Sequence, residues 1–201
     1  GTLMNFNFTQ TSGWTENSLM LDGVNDWVKM SYLDYENMTI EIVAKPLDVN
    51  PNKAQYYLTN HQLGGMSLYN LSNRNGSQVN IKGSYIPLNS SGTVKTGQIY
   101  SMSMGYDGNL MYFNENDNFY KAEVGTEMTK PESSTVFVIG TNPNGTREEI
   151  VSGDARIHME VYSVRIYNRC LTEEEIKHNY KVDKKAFDIE KFPDKNTLGY
   201  V

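Results

Sequence analysis

The chain has 201 residues, and its 18 Lys and Arg against 24 Asp and Glu leave a formal net charge of −6. An acidic chain whose longest basic run is the pair Lys184–Lys185 lacks the basic stripe that nucleic-acid binding requires. Its apolar stretches are only a few residues long, so no segment is predicted to insert into a membrane. No Pro-, Gly- and Ser-rich linker divides the chain, which favours one large domain.

Short alternating segments separated by turn residues dominate the sequence. The 14 Tyr suit half-buried pleated surfaces, and the 16 Gly, together with frequent Asn, suit tight turns. The strongest turn pattern is Asp107–Gly108, which lies between two alternating apolar runs. About a dozen short strands of this kind are typical of a sandwich or a barrel. In chain order, strands are predicted in residues 18–23, 26–30, 38–46, 54–62, 65–72, 78–85, 98–124, 135–141 and 155–168.

The segment after the last predicted strand changes to a helical period. Thr172 can cap the free backbone amides of a first turn, and Glu175 can complete a capping box. Ile176 and Tyr180 fall on one face, which predicts that the helix docks on the rest of the domain. The predicted organisation is one domain followed by an irregular tail: residues 1–187, including a closing helix at 172–187, and residues 188–201.

Four segments, in the same order, resemble the concanavalin A-like lectin/glucanase superfamily in its bacterial laminin-G-like branch. They are "SLMLDGVNDWVKM", "MTIEIVAKP", "YSMSMGYDGNLMYFNEN" followed by "VFVIGTNPNG", and "YSVRIYNRCLTEEEIKHNY". The resemblance spans most of residues 14–180. It implies an all-β fold, namely an antiparallel two-sheet jelly-roll β-sandwich that ends in one short C-terminal helix.

The resemblance also implies a function. We expect a non-catalytic, lectin-like module that recognises a cell-surface or environmental glycan. As in similar domains, it would belong to a larger bacterial or phage structural protein located outside the cell, on a cell surface or on a virion. The alternative is a protein-binding or structural spacer domain, and a glycoside hydrolase is the less favoured third reading. Fold resemblance supports a function by association only.

The acidic residues of the chain do not match a glycosidase pattern. Retaining glycoside hydrolysis needs two carboxyl groups roughly 5–5.5 Å apart, and the "E-x-D-x-x-E" strand of the superfamily's glucanases is absent. Glu115 and Asp117 fall at a predicted turn, where Asn and Asp are expected for backbone reasons. Glu148, Glu149 and Asp154 fall in a predicted solvated loop. We therefore expect that the chain is not an enzyme.

Carbohydrate binding needs an aromatic face for the apolar side of a sugar ring and planar polar groups for its hydroxyls. The stretch "YYLTNHQLGGMSLY" supplies both kinds of group, and by period 2 alternate residues of its first strand share one face. Both Trp14 and Trp27 are predicted to pack in the core or at its edge. The predicted carbohydrate-binding residues are Tyr57, His61, Gln62, Tyr69, Arg74 and Tyr85.

Calcium is the one cofactor that the resemblance implies, since many members of the superfamily bind it at the rim of the sandwich. A hard cation of this size takes six to eight oxygen ligands. The loop "DGVND" offers Asp22, Asn25 and Asp26 within five residues, and Asp154 is a distant fourth candidate. The same letters also describe an ordinary Asx-type turn, so both interpretations stay open at this point.

Overall fold

The structure is a computed structural model that describes residues 1–33, 35–61, 64–131, 135–143 and 155–189. Within these ranges the chain forms strands and one helix, α1 (Glu173–Phe187). The strands are β1 (Thr2–Met4), β2 (Gly13–Trp14), β3 (Leu19–Asp22), β4 (Trp27–Lys29), β5 (Met38–Pro46), β6 (Gln55–Thr59), β7 (Met66–Leu71), β8 (Arg74–Ile81), β9 (Ser84–Asn89), β10 (Tyr100–Tyr106), β11 (Leu110–Glu115), β12 (Asn118–Glu123), β13 (Val138–Ile139) and β14 (His158–Tyr167).

These strands form two antiparallel sheets of seven. The front sheet has the order β1-β4-β13-β6-β7-β8-β9, and the back sheet has the order β12-β11-β10-β5-β14-β3-β2. The central strands of the back sheet, β5 and β14, are far apart in the sequence, as in a jelly roll. The predicted two-sheet jelly-roll sandwich with a C-terminal helix is therefore confirmed.

The core lies between the two sheets and is built by period-2 alternation. In β5 the inward side chains include Ile40 and Ile42, whereas Glu41 and Val43 point to the other face. Phe113 and Leu68 fill the same interior from the back and front sheets and have no solvent-exposed surface. Apolar burial of this extent is the main favourable contribution to the stability of such a domain.

A polar network also crosses this interior. The Tyr57 hydroxyl donates to Asn75 Oδ1 at 2.8 Å, and Asn75 Nδ2 donates to Glu115 Oε1 at 2.7 Å. All three side chains are buried, Tyr57 and Asn75 completely. Burial raises the pKa of Glu115, while the hydrogen bond from Asn75 works in the opposite direction. The network thus joins β6 and β8 of the front sheet to β11 of the back sheet.

Helix α1 packs on the outer face of the back sheet. Its start has the predicted capping box, since Thr172 Oγ1 accepts from Glu175 N and the Glu175 side chain accepts from Thr172 N. Ile176 packs with Tyr112 of β11, and Tyr180 packs with Val43 of β5. The apolar face predicted for the helix is therefore the face that docks.

An ion network lies beneath the helix. Arg165 of β14 donates from both terminal nitrogens to Asp183 of α1, one of these bonds being 2.9 Å long, and lies 3.4 Å from Glu41 of β5. Asn179 Nδ2 donates to Glu41 at 3.0 Å, so the carboxylate has a second partner from the helix. The Asp183 and Glu41 side chains are 2% and 7% exposed, which leaves both carboxylates dependent on these partners.

One predicted strand is divided in the structure. The predicted strand 78–85 is interrupted by a turn at Lys82–Gly83, which separates β8 from β9. Lys82 takes a φ of 50° and Gly83 a φ of 82°, so the chain reverses there.

The two Trp side chains differ in their exposure. Trp27 is buried as predicted, whereas Trp14 is 70% exposed. Trp14 is exposed because β2 is a two-residue strand at the edge of the back sheet.

Candidate functional site

The site lies on the outer face of the front sheet and depends on an irregularity in β6. Tyr56 pairs with Tyr69 of β7, but the next pair is Leu58 with Leu68, so Tyr57 is an extra residue in the ladder. Because of this bulge, Tyr57 and Leu58 both enter the core, and Tyr57 has no exposed surface. The prediction that Tyr57 contacts a ligand is therefore wrong, and Tyr56 occupies the outer face instead.

Four aromatic side chains contact one another on this face, and we call them the aromatic cluster: Tyr56, His61, Tyr69 and Tyr85. The His61 ring lies 5.6 Å from the Tyr56 ring in a stacked arrangement and 3.8 Å from the Tyr85 ring. The Tyr56 and Tyr69 rings lie 6.2 Å apart. The predicted residues His61, Tyr69 and Tyr85 thus belong to one group of rings.

The connection between β6 and β7 places His61 within this cluster. His61 N donates to Thr59 Oγ1 at 2.7 Å, which turns the chain immediately after β6. Gly65 takes a φ of 76° and lies against the Asn60 side chain, so a larger residue there would be strained. Gly64 N donates to the Tyr85 hydroxyl at 3.2 Å, which joins the same connection to β9.

Amide side chains border the rings. The Tyr69 hydroxyl donates to Asn89 Oδ1 at 2.7 Å. Asn89 reaches Tyr69 across β8 because Gly76 has no side chain; a Cβ atom there would overlap the Asn89 amide. Gln78 lies beside Tyr56, and Asn142 lies beside His61. Aromatic rings bordered by planar amides are the combination of groups that sugar recognition requires.

Two buried polar groups on this face have no hydrogen-bond partner among the described residues, namely the Ser67 hydroxyl and Asn80 Oδ1. The His61 ring and the Asn142 side chain adjoin each other, and their polar atoms have no further partner among the described residues. Register places Ser67 and Asn80 on the face that carries Tyr69 and Tyr85, and these two residues are 0% and 2% exposed. Each of these atoms has less than 1 Å² of accessible surface, so a ligand reaches them only if the side chains that cover them move.

Burial also decides the charge of His61. Removal from water lowers the pKa of the imidazole to about 4, although the neighbouring Asn142 side chain favours the charged form. The ring is therefore neutral at physiological pH. A neutral imidazole offers one hydrogen-bond donor and one acceptor, which suits a hydroxyl group.

We expect the free energy of unfolding to decrease as the pH falls from about 6.5 to about 4. Over this window the unfolded chain takes up a proton at His61 and the folded chain does not, so the slope approaches about 1.4 kcal/mol per pH unit. The measurement is urea unfolding at a series of pH values, with the His61→Gln variant, whose side chain does not titrate, as the comparison. Parallel curves for the two proteins would contradict a buried neutral His61.

The remaining predicted carbohydrate-binding residues do not join the cluster. Arg74 is opposite Leu71, at the far end of the β7–β8 hairpin from His61 and Tyr85. Gln62 lies outside the described residues. The residues that sequence reasoning missed are Tyr56, Ser67, Gln78, Asn80, Asn89 and Asn142. Assigning alternate residues of β6 to opposite faces, with one bulge allowed, would have placed Tyr56 on the outer face. Asn142, in contrast, comes near His61 only through the packing of distant segments.

The loop "DGVND" is an Asx-type turn. Asp22 Oδ1 accepts hydrogen bonds from the backbone amides of Val24, Asn25 and Asp26 at 2.8–3.1 Å, and Asp26 Oδ2 accepts from Asp22 N at 3.0 Å. Burial works to raise the pKa of Asp22, but these amides dominate and lower it. No group of three or more His, Cys, Asp or Glu side chains suited to a metal occurs in the part of the chain that the structure describes. Asp154 lies outside that part, so calcium stays a prediction.

The carboxylates considered for catalysis also take definite places. Glu115 points into the core rather than into a cleft, and it is 8% exposed. Asp117 lies in the turn between β11 and β12. Residues 144–154, which hold the second acidic candidate group, lie outside the described ranges. Among the described residues, no helix is long and apolar enough to span a bilayer.

No protein-family model matches the chain, and no curated protein matches its sequence. Its fold is nevertheless similar to solved structures. The receptor-binding domain of botulinum neurotoxin D superposes with a TM-score of 0.65 and 14% identity, over 90% of this chain and 48% of that one. The C/D mosaic serotype gives 0.65 and 13%, over 90% and 46%. The heptameric SAP-like pentraxin from Limulus polyphemus gives 0.61 and 13%, over 87% and 79%.

These neighbours support the jelly-roll sandwich and nothing finer, because the identities are low. This chain spans about half the length of the neurotoxin receptor-binding domains that it matches. The neurotoxin structures are described as receptor-binding domains. The fold found here therefore also occurs in proteins that bind other molecules.

Proposed function

We propose that this chain is a non-catalytic, laminin-G-like carbohydrate-binding module of an extracellular bacterial or phage protein, and that it recognises a cell-surface or environmental glycan. The observation that carries the proposal is the outer face of the front sheet. There, a chain of four aromatic rings that ends in the partly exposed ring of Tyr85 is bordered by the amide side chains of Gln78, Asn89 and Asn142. A sugar presents an apolar side to such rings and hydroxyl groups to such amides.

Tyr85 is where the ligand meets the protein first. It is 37% exposed, whereas Tyr56 and Tyr69 are 8% and 3% exposed. A pyranose ring stacked on Tyr85 lies next to His61, whose ring is 3.8 Å away. The more deeply buried tyrosines then serve to hold His61 and Asn89 in place, and the ring of Tyr85 supplies most of the stacking surface.

A glycan array probed with the purified chain tests the function. We expect binding to at least one glycan class, and a parallel incubation with a calcium chelator tests the "DGVND" loop separately. Binding that survives chelation assigns recognition to the outer face alone, and binding that disappears makes Asp22, Asn25 and Asp26 part of the function. An array without any bound glycan in either condition would contradict the proposal.

One observation favours the protein-binding alternative. Phe8, Trp14 and Val24 are 66%, 70% and 67% exposed and all lie in the first 24 residues. Phe8 packs against Gly13, the chain neighbour of Trp14, and exposed apolar side chains mark a partner surface where they form one contiguous patch. A blank glycan array together with loss of a protein partner on changing Phe8 or Trp14 to Ser would transfer the function to this region.

A further inference from the structure

We propose that the ligand is a linear oligosaccharide segment that lies along β9, with one sugar unit on Tyr85 and the following units beside Pro87 and Asn89. This inference rests on the proposed function and adds a second binding position and the shape of the ligand. It follows from the exposed side chains of β9, from the backbone at the open edge of the sheet and from the fixed orientation of one amide.

The exposed side chains of β9 form a strip that continues from the aromatic cluster. By period 2, Tyr85, Pro87 and Asn89 share the outer face of the front sheet, and all three are exposed. Ile86 and Leu88, between them, pack against the core and hold the strand in place. At the rise of an antiparallel strand, the strip is about 14 Å long. Such a strip offers a linear ligand more than one contact.

The backbone of β9 disfavours the addition of a further strand at its open edge. Ser90 N donates to the carbonyl oxygen of Asn75, and hydrogen-bonded pairs alternate along an antiparallel ladder. The Pro87–Gln78 pair is therefore a non-hydrogen-bonded pair, and the nitrogen of Pro87 faces the open edge. Because this nitrogen carries no hydrogen, it cannot donate to an added strand. An extended peptide is thus a poor occupant, whereas sugar hydroxyls need no continuous ladder.

Pro87 and Gln78 form the second binding position. In a non-hydrogen-bonded pair the two facing side chains lie close together, so the Gln78 amide adjoins the Pro87 ring. Gln78 is half-buried and also interacts with Tyr56 of the aromatic cluster. An exposed apolar ring beside a planar amide offers a sugar unit one surface for its apolar side and another for its hydroxyls.

Asn89 presents an oriented hydrogen-bond donor at the far end of the strip. Its Oδ1 atom accepts from the Tyr69 hydroxyl at 2.7 Å. The amide is planar, so this bond also fixes the direction of the Nδ2 group, which carries two N–H donors. Because the side chain is exposed and already held by the protein, a sugar hydroxyl can bind there at a low cost in conformational entropy.

The test is calorimetric titration of the whole chain with length series of linear sugars. Suitable series are cello-, chito- and laminari-oligosaccharides, each from the monosaccharide to the tetrasaccharide. For the series that binds, we expect the dissociation constant to fall at least about tenfold from the monosaccharide to the trisaccharide, because the longer ligand also contacts Pro87 and Asn89. A dissociation constant that is the same for all lengths would overturn the inference.

Substitutions along β9 test the second position. Pro87→Ala removes the ring and should weaken trisaccharide binding about threefold to tenfold, while monosaccharide binding changes by less than about twofold. Asn89→Ala should give the same difference between the two ligands and serves if Pro87→Ala does not fold. Ser84→Ala is the matched control, since Ser84 is exposed on the same strand but lies on its other face. Equal losses for both ligands in both variants would overturn the second position.

The outcomes separate this inference from the proposed function. Binding of a single terminal sugar or of branched glycans only, without any gain along a linear series, would overturn the inference and leave carbohydrate binding standing. Failure of every glycan of the array and of every series to bind would contradict carbohydrate binding itself, and the inference with it. A gain with length that is lost in Pro87→Ala and kept in Ser84→Ala supports both.

Discussion

Replacing Arg165 with Ala is expected to lower the free energy of unfolding by about 3–5 kcal/mol, because it leaves two buried carboxylates without their cation. Asp183 of α1 and Glu41 of β5 are 2% and 7% exposed, and Arg165 contacts both. Hydrogen bonding to Asp183 raises the pKa of Arg165, so the guanidinium is charged at any pH of interest. Urea unfolding of the variant measures the loss.

The matched control is Arg169→Ala. Arg169 also forms a two-point ion pair, with Glu175, but the two side chains are 55% and 40% exposed. Its removal should cost far less than removal of Arg165, because solvent screens an exposed ion pair. The deficit of Arg165→Ala should shrink as the pH falls from 7 towards 4, since protonation neutralises the orphaned carboxylates and burial already raises the pKa of Glu41. Equal losses for the two Arg variants would show that burial of the network contributes nothing.

Replacing Asn75 with Ala should have the second largest effect, a loss of about 3 kcal/mol. Asn75 is the middle member of the polar network inside the sandwich, and its removal leaves the Tyr57 hydroxyl without a partner and the Glu115 carboxylate with Ser90 alone. Neither group can reach water, since Tyr57 is 0% and Glu115 is 8% exposed. The measurement is again the midpoint and slope of urea unfolding.

A combined variant provides the control. If the loss comes from orphaned polar groups, then Tyr57→Phe, Asn75→Leu and Glu115→Met together should recover part of it, because the Tyr57 and Glu115 groups are removed and only the Asn70 amide, which donates to Asn75 Oδ1 at 3.4 Å, loses a partner. Tyr57→Phe alone should cost only about 1 kcal/mol. A combined variant that is as unstable as the sum of its single changes would instead point to lost packing volume.

Local sequence rules predicted the elements whose determinants are local. β5 was predicted with its observed bounds because "MTIEIVAKP" alternates cleanly and ends at a Pro. The helix start was predicted because Thr172 and Glu175 stand at capping-box spacing. What neither rule predicts is Asp183, a buried acid in a helix whose partner, Arg165, is 18 residues earlier in the chain.

The candidate site was predicted less completely, for a definite reason. Period 2 assigned Tyr57 and His61 to one face, but the bulge in β6 reverses the alternation and exchanges Tyr57 for Tyr56. A one-residue irregularity of this kind has no reliable signature in a single sequence. The amides of Asn89 and Asn142 reach the cluster across β8 and from beyond β13, and such contacts depend on the whole fold.

The most direct test of the central claim is the affinity of the Tyr85→Ala variant for the strongest glycan found on the array. Tyr85 is the most exposed aromatic residue of the cluster, so its removal should leave the fold intact. Carbohydrate binding at this face predicts that the dissociation constant rises by about tenfold or more, while Trp14→Ala binds like the parent chain. Unchanged affinity in Tyr85→Ala, or a loss in Trp14→Ala instead, would contradict the assignment of the site to the outer face of the front sheet.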